Sequence, residues 1–357
     1  MANIDLNDVV AMVPKRFETL EKKGRIGFFP PTKLFDKIIN NPVAGGGASC
    51  VIPVTVDSVD FEVSDSSLVA IRDDVKDVTV DLNFPYKVIE GEFTLSQSQV
   101  NKIANAPKAV RNYLDKRIMN GTEGYKQKLE DRGFNGVGTT GNFLGFKSFW
   151  TGSNYGGVVR TDTINGGATT FGVVLGSNVA YVYGNGTPAT RAQTYWNASD
   201  YMATIQDPQE RQEAQRRIIR ELMLQIELWK GKRPDEIVCG HAVYADQNDL
   251  IDRIANPASM GFTKSITATG DEQLKFGGQN FCQTNALGAG EALLLSTPYI
   301  YTPSVEGFDL HKPYVETEVS TAYKAAKRID IIGEGSIVTD CVTAHGWITG
   351  LNEPYTP

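Results

Sequence analysis

Residues 315–331 alternate in polarity almost without a break. Val315, Thr317, Val319, Thr321, Tyr323, Ile329 and Ile331 fall on one side; Glu316, Glu318, Ser320, Lys324, Arg328 and Asp330 fall on the other. Side chains of a strand point to opposite faces with period two, so the pattern predicts one half-buried β-strand. About 17 residues at roughly 3.3 Å each would span on the order of 55 Å, against about 5–6 residues for an ordinary strand. A turn is expected at Gly333-Glu334-Gly335, with Ser336 to Thr349 returning antiparallel, so that 313–357 form one long β-hairpin. An arm of that length predicts a molecule that reaches across neighbours.

A chain of 357 residues exceeds one typical core and predicts about two domains. Its net charge of −7 argues against a dedicated nucleic-acid binder, which needs a basic face to displace counterions. Cys50, Cys239, Cys282 and Cys341 are scattered, with no C-x-x-C pair, and read as small apolar residues in a reducing compartment. The N-terminus has no apolar signal region, and no apolar run approaches the roughly 20 residues of a membrane span.

Residues 1–50 read as an arm: a short amphipathic piece from Leu6 to Leu20 broken at Pro14, then Pro30, Pro31, Pro42 and Gly45-Gly46-Gly47. Such a stretch buries little by itself and is expected to be held by other parts or other chains. Residues 51–92 read as a two-stranded excursion, with Val59, Phe61 and Val63 going out and Val78, Val80 and Leu82 coming back. Its ten acids and three bases leave a net charge of −7. This is either a solvated hairpin face or an acidic loop that docks on a basic partner.

Residues 96–132 predict helix. Ser96 and Gln99 form an S-x-x-Q capping box, Pro107 opens a second helix, and Val110, Tyr113, Leu114 and Ile118 make its apolar stripe. Asn120-Gly121 is expected to interrupt it. Eight bases and four acids from Lys102 to Arg132 give +4, the complement of the acidic excursion. No charged residue occurs from Thr163 to Thr190, a glycine- and aromatic-rich stretch that predicts short strands at a subunit contact. Asp207, Pro208 and Glu210 then start a helix with an apolar face of Ile218, Ile219, Leu222, Met223, Ile226 and Trp229, ended by Gly231. After Pro234 a compact α/β domain is expected. A buried strand Glu236 to Cys239 leads into a helix through Val243, Leu250, Ile251 and Ile254, and a later strand contains Leu293, Leu294 and Leu295.

Catalytic signatures are weak. Gly136-Val137-Gly138-Thr139-Thr140-Gly141 matches G-x-G-x-x-G but follows a helix, whereas a dinucleotide site follows a strand and opens a helix. His241, His311 and His345 lie far apart, with no ligand partner at metal spacing, and read as structural. Asp73 and Asp74 are adjacent, so on a strand they face opposite sides and make a poor acid/base pair. No catalytic residue, cofactor or metal is expected.

The order of these features resembles the major capsid protein of tailed bacteriophages, the α+β Hong Kong 97-type fold. Asn154-Tyr155-Gly156-Gly157-Val158-Val159-Arg160 followed by Tyr195-Trp196-Asn197 is similar to that family's "GG-[IV]-x-R … W-N" passage. Lys232-Arg233-Pro234-Asp235-Glu236-Ile237-Val238 resembles its "P-D-x-I-V" entry to the axial domain, and Leu274-Lys275-Phe276-Gly277-Gly278-Gln279 its "L-x-F-x-G" turn. The collinear order carries the resemblance, which spans most of 51–351. It implies an N-terminal arm (1–50), an E-loop hairpin (51–92), a peripheral domain with the spine helix (93–160), and the uncharged insertion (161–194). A second peripheral helix (195–231), an axial domain (232–312) and the returning hairpin (313–357) follow.

The implied function is structural and non-enzymatic: self-assembly into hexamers and pentamers of an icosahedral head around double-stranded DNA, in the host cytoplasm and then in the virion. The implied partners are further copies of the chain, a portal protein, a separate scaffolding protein in place of a cleaved leader, a decoration protein, and packaged DNA held without sequence-specific contact; no membrane is involved. Charge complementarity nominates intersubunit contacts between Asp57, Asp60, Glu62, Asp65, Asp73, Asp74 and Asp77 of one subunit and Lys102, Lys108, Arg111, Lys116, Arg117, Lys126 and Lys128 of its neighbour. The alternatives are an encapsulin-type shell around protein cargo, a cytosolic enzyme, and a phage tail protein.

Overall fold

The computed structural model describes residues 6–23, 35, 42–45, 49–55, 79–103, 106–138, 143–151, 154–156, 158–159, 195–230, 232–253, 262–266, 272–310, 313–320 and 326–355. The chain passes back and forth between two compact units. One takes in Met1–Ser49, Pro85–Phe146 and Tyr301–Ile337; the other takes in Cys50–Phe84, Lys147–Ile300 and Val338–Pro357.

The first unit is a helix laid on a sheet. Strand Lys87–Ser96 pairs antiparallel along its whole length with strand Ala326–Gly335, which also pairs with Tyr314–Ser320. Ile89, Gly91, Phe93 and Leu95 form one buried row; Ile329, Ile331 and Gly333 stand opposite them in register. On this face lies the helix Pro107–Asn135, whose 29 residues rise roughly 44 Å at 1.5 Å each.

Its fit is tight at glycines. Tyr125 is fully buried, and a Cβ at Gly91 would sit 2.9 Å from that of Tyr125, while one at Gly333 would collide with its hydroxyl. The Tyr125 hydroxyl donates to the Leu310 carbonyl at 2.9 Å, and burial pushes its phenol well above the usual range. Gly121 of the helix lies against Phe93, where a Cβ would approach Cδ1 to 2.5 Å. At the helix end, Phe35, Phe134 and Phe146 form an aromatic cluster with centroids 5.3–6.3 Å apart.

The second unit holds a seven-stranded mixed sheet in the order Tyr195–Asn197, Gly346–Thr349, Ala292–Leu295, Glu236–Cys239, Gln279–Gln283, Glu272–Phe276, Phe262–Ile266. The two central strands are buried at every position; every residue in them but Glu236 is apolar, and the Glu236 carboxylate accepts from Asn280 Nδ2 at 2.6 Å. Helix Pro208–Lys230 begins with Asp207 accepting the Gln209 N–H at 2.8 Å, and its face of Ile218, Ile219, Leu222, Met223 and Ile226 joins the core around this sheet. It meets helix His241–Arg253 through a buried amide network. Gln247 donates to Gln215 Oε1 at 2.9 Å and to the Gln212 carbonyl at 3.0 Å, and Gln215 donates to Asp246 at 2.8 Å.

Several expectations are corrected. The alternation over 315–331 is not one strand but two, Tyr314–Ser320 and Ala326–Gly335, paired as a hairpin with a register shift between Glu316 and Val319. Polarity alternation repeats in phase on both sides of a reversal, so period alone cannot locate one. Gly333 and Gly335 lie inside the second strand, and Val338–Thr339 and Gly346–Thr349 belong to the other unit, so 313–357 is not one returning hairpin.

The long helix runs unbroken through Asn120-Gly121, because packing on Phe93 supplies what glycine propensity withholds. Gln99 does not act as a capping-box partner; its carbonyl accepts Tyr113 Oη at 2.6 Å and Arg117 at 3.1 Å. Helix Pro208–Lys230, expected in the same domain as the spine helix, belongs to the second unit. In the early arm, helices Leu6–Ala11 and Val13–Lys22 bury Leu6, Val9, Val13, Phe17 and Leu20, and the expected hold by another part of the chain is the bidentate pair of Arg16 with Asp115 at 2.5–2.9 Å. Strand Ser49–Thr55 pairs with Thr79–Pro85, whereas Lys87–Ser96 belongs to the first unit's sheet. Residues 56–78 and 161–194 lie outside the described residues.

Two glycines of one helix make opposite predictions. A Cβ at Gly124 meets nothing within 4 Å. Gly124→Ala is expected to stabilise the protein by roughly 0.5–1 kcal/mol. Gly121→Ala is expected to cost about 1–3 kcal/mol through overpacking on Phe93. Urea unfolding midpoints of the two variants measure both signs.

Candidate assembly surface

The seven nominated acids, Asp57 to Asp77, lie outside the described residues. The nominated bases are all described, and they divide. Lys102, Lys108, Arg111 and Lys116 are exposed. Three others are engaged within their own chain. Arg117 lies over the Tyr113 ring at 5.5 Å and reaches Gln99, Lys126 pairs with Glu123 at 3.6 Å, and Lys128 donates to the Glu90 carbonyl at 2.8 Å. Lys108, Arg111 and Lys116, with Met119, 43 % exposed among them, make the outward side of the helix Pro107–Asn135, and Lys102 stands on the preceding helix Gln97–Ile103.

The sheet face turned away from the helix carries a charge cluster that composition alone does not reveal. Glu90 and Glu92 alternate with the buried row of their strand, and Arg328 and Asp330 do the same on the next. Arg328 gathers all three carboxylates: Asp330 at 2.6 Å, Glu92 at 3.0 Å, and Glu90 through a very short contact. The hydrogen bond to Asp330, then the charges of Asp330, Glu92 and Glu90, hold the guanidinium more firmly protonated than usual. The three carboxylates lie close enough together to hold a metal ion, but the guanidinium already supplies the positive charge there. This is an ion-pair network rather than a metal centre. The alternation placed Arg328 and Asp330 on one face; only pairing across more than 230 residues brings Glu90 and Glu92 to them.

In the second unit the short phrases that carried the resemblance prove to be structural fittings. Asp235 accepts Thr297 N–H at 2.7 Å and the Thr297 hydroxyl at 2.5 Å, fixing the exit of strand Ala292–Leu295. Gly277 and Gly278 both have positive φ, +59° and +87°, as a two-residue type I′ hairpin requires. Gly156, at φ +59°, packs where a Cβ would meet that of Leu82 at 2.7 Å, and its carbonyl accepts the Asn83 N–H. Lys147 pairs with Glu291 at 2.7 Å over the Trp347 ring. The G-x-G-x-x-G match begins at a helix C-cap: the Gly136 N–H donates to the Arg132 carbonyl. No helix of the described residues is long and apolar enough to cross a membrane.

This combination, a long helix on a long-stranded sheet and a separate mixed α/β unit entered repeatedly by the chain, is the Hong Kong 97-type capsid fold. Among solved structures, the capsid protein of cyanophage A-1(L) matches with a TM-score of 0.58 at 12% identity, over 90% of this chain and 93% of that one. The capsid of an empty GTA particle matches with a TM-score of 0.50 at 9% identity, over 87% and 93%. No family model matches the sequence, and no curated protein matches it.

Removing the guanidinium should leave the clustered carboxylates to repel one another. Arg328→Met is expected to lower the thermal midpoint at neutral pH. The deficit should shrink in high salt, which screens the repulsion among the carboxylates. Thermal melts of wild type and variant at low and high salt measure this.

Proposed function

We propose that this chain is the major capsid protein of a tailed bacteriophage, a non-enzymatic subunit that assembles into hexamers and pentamers of an icosahedral head enclosing double-stranded DNA. The observation that carries the reading is the match to the cyanophage capsid protein over nearly the full length of both chains. The reading implies assembly in the host cytoplasm and a final place in the virion. It also implies a portal, a separate scaffolding protein, a decoration protein, and a genome held without sequence-specific contact. The net charge of −7 suits a wall that does not trap the DNA packed against it.

The proposed domain plan keeps the acidic excursion as an E-loop and the helix Pro107–Asn135 as a spine. In this plan Asp57, Asp60, Glu62, Asp65, Asp73, Asp74 and Asp77 of one subunit lie on the exposed bases of its neighbour. Lys102, Lys108, Arg111 and Lys116 are the better candidates, since Arg117, Lys126 and Lys128 already have partners in their own chain. Exposed ion pairs contribute about 0–1 kcal/mol each. The charges therefore set register and encounter, and repeated apolar burial between subunits must hold the shell.

Charge exchange tests this. Reversing Asp73, Asp74 and Asp77 to lysine should abolish fast-sedimenting particles while leaving the subunit folded by circular dichroism. Adding Lys108→Glu, Arg111→Glu and Lys116→Glu in the same chain should restore them. Particles that form normally with the first three changes alone would remove the acidic loop from the interface.

A further inference from the structure

His345 is completely buried in the second unit, and its ring joins segments distant in sequence. Its Nδ1 accepts the backbone N–H of Ser296 at 3.1 Å. A backbone N–H can only donate, so Nδ1 carries no proton. Nε2 lies 2.8 Å from Thr339 Oγ1, which fixes the proton on Nε2 and makes Thr339 the acceptor. The same Oγ1 accepts the Cys341 N–H at 3.1 Å. Thr339 is held from its other side by Tyr155, whose hydroxyl accepts the Thr339 N–H at 2.8 Å and donates to the Thr339 carbonyl at 3.1 Å. Ser296 closes the loop by donating its hydroxyl to the Ala344 carbonyl at 2.7 Å, and the Phe149 ring lies 5.2 Å from the imidazole.

We infer that His345 is a proton-operated latch: neutral, it pins the segments around Ser296, Thr339 and Gly346; protonated, it releases them. A second proton would place N–H against N–H at Ser296 and a full charge in a site with no exposed atom, and both are unfavourable. The charged and titratable groups on the surrounding elements are Asp235, Glu291, Lys147, Tyr155, Asp340 and Cys341. Both oxygens of Asp235 are engaged by Thr297, and Glu291 and Lys147 are paired with each other. Tyr155 is engaged by Thr339, and Asp340 and Cys341 follow Thr339 along the chain.

The position gives the latch its consequence. Phe149, Ser296 and Thr339 each lie within about four residues of a point where the chain passes between units: Phe146 to Lys147, Ile300 to Tyr301, and Ile337 to Val338. Release would loosen the anchorage of three such passages from inside the second unit. The inference stands on subunit chemistry and does not require that the chain form a shell.

Hydrogen–deuterium exchange of the wild-type protein at about pH 7.5 and about pH 5, either side of the ordinary imidazole value near 6.5, tests it after correction for intrinsic rates. Peptides covering 292–300 and 338–349 should lose protection on the order of tenfold per pH unit below the titration point, while 87–96 and 326–335 keep theirs. In His345→Gln the amide can accept from Ser296 and donate to Thr339 but cannot titrate, and Asp235 and Glu291 remain. The variant should hold its protection at the lower pH. Retained protection in the wild type, or uniform loss along the chain, overturns the inference even if the variant fails to fold; the same acid response in a folded variant also overturns it.

Discussion

The first unit depends on how closely one helix can approach one sheet. Tyr125 lies against Gly91 and Gly333, and Phe93 packs on Gly121. Each side yields a side chain where the other presses in. The helix spans the sheet only because glycine occurs at these crossings, and the Tyr125 hydroxyl, buried among apolar groups, is satisfied by the Leu310 carbonyl. Once the helix is seated, its remaining surface is determined. One side is buried, and Lys108, Arg111 and Lys116 stand outward. The sheet's far face is left to carry Arg328 and its three carboxylates.

That arrangement separates what holds the fold together from what its surface can offer to a partner. The apolar rows of Lys87–Ser96 and Ala326–Gly335 are occupied by the chain's own helix, and the early helices around Phe17 and Leu20 are seated within the same unit. The bases of the long helix are partly consumed by Glu123, Gln99 and the Glu90 carbonyl. A count of charges along 102–132 therefore overstates the cation density a neighbour would meet. The second unit shows the same economy, with Gln247 Nε2, Asp235 and His345 each matched to a partner within the unit.

Local signals in the sequence read through well where one element decides the outcome. The Asp207-Pro208 start, the apolar face of the helix that follows, the unbroken strands Glu236–Cys239 and Ala292–Leu295, and the Gly277-Gly278 turn all follow from residue type and spacing. Failures came where a distant partner decides. Strand Lys87–Ser96 exists because Ala326–Gly335 pairs with it, and the helix crosses Asn120-Gly121 because Phe93 fills the gap. The alternation over 315–331 predicts strand on the two arms Tyr314–Ser320 and Ala326–Gly335 but hides the reversal between them, since both arms of the hairpin share one polarity pattern. For the candidate assembly site, residue type names the bases of the helix, but only the fold tells which of them are engaged within their own chain.

The central claim is that the subunit is made to associate with copies of itself, and electron microscopy of the purified wild-type protein tests it most directly. The account predicts closed shells, or the hexameric and pentameric rings from which shells are built. A protein that remains monomeric across salt, pH and concentration would contradict it.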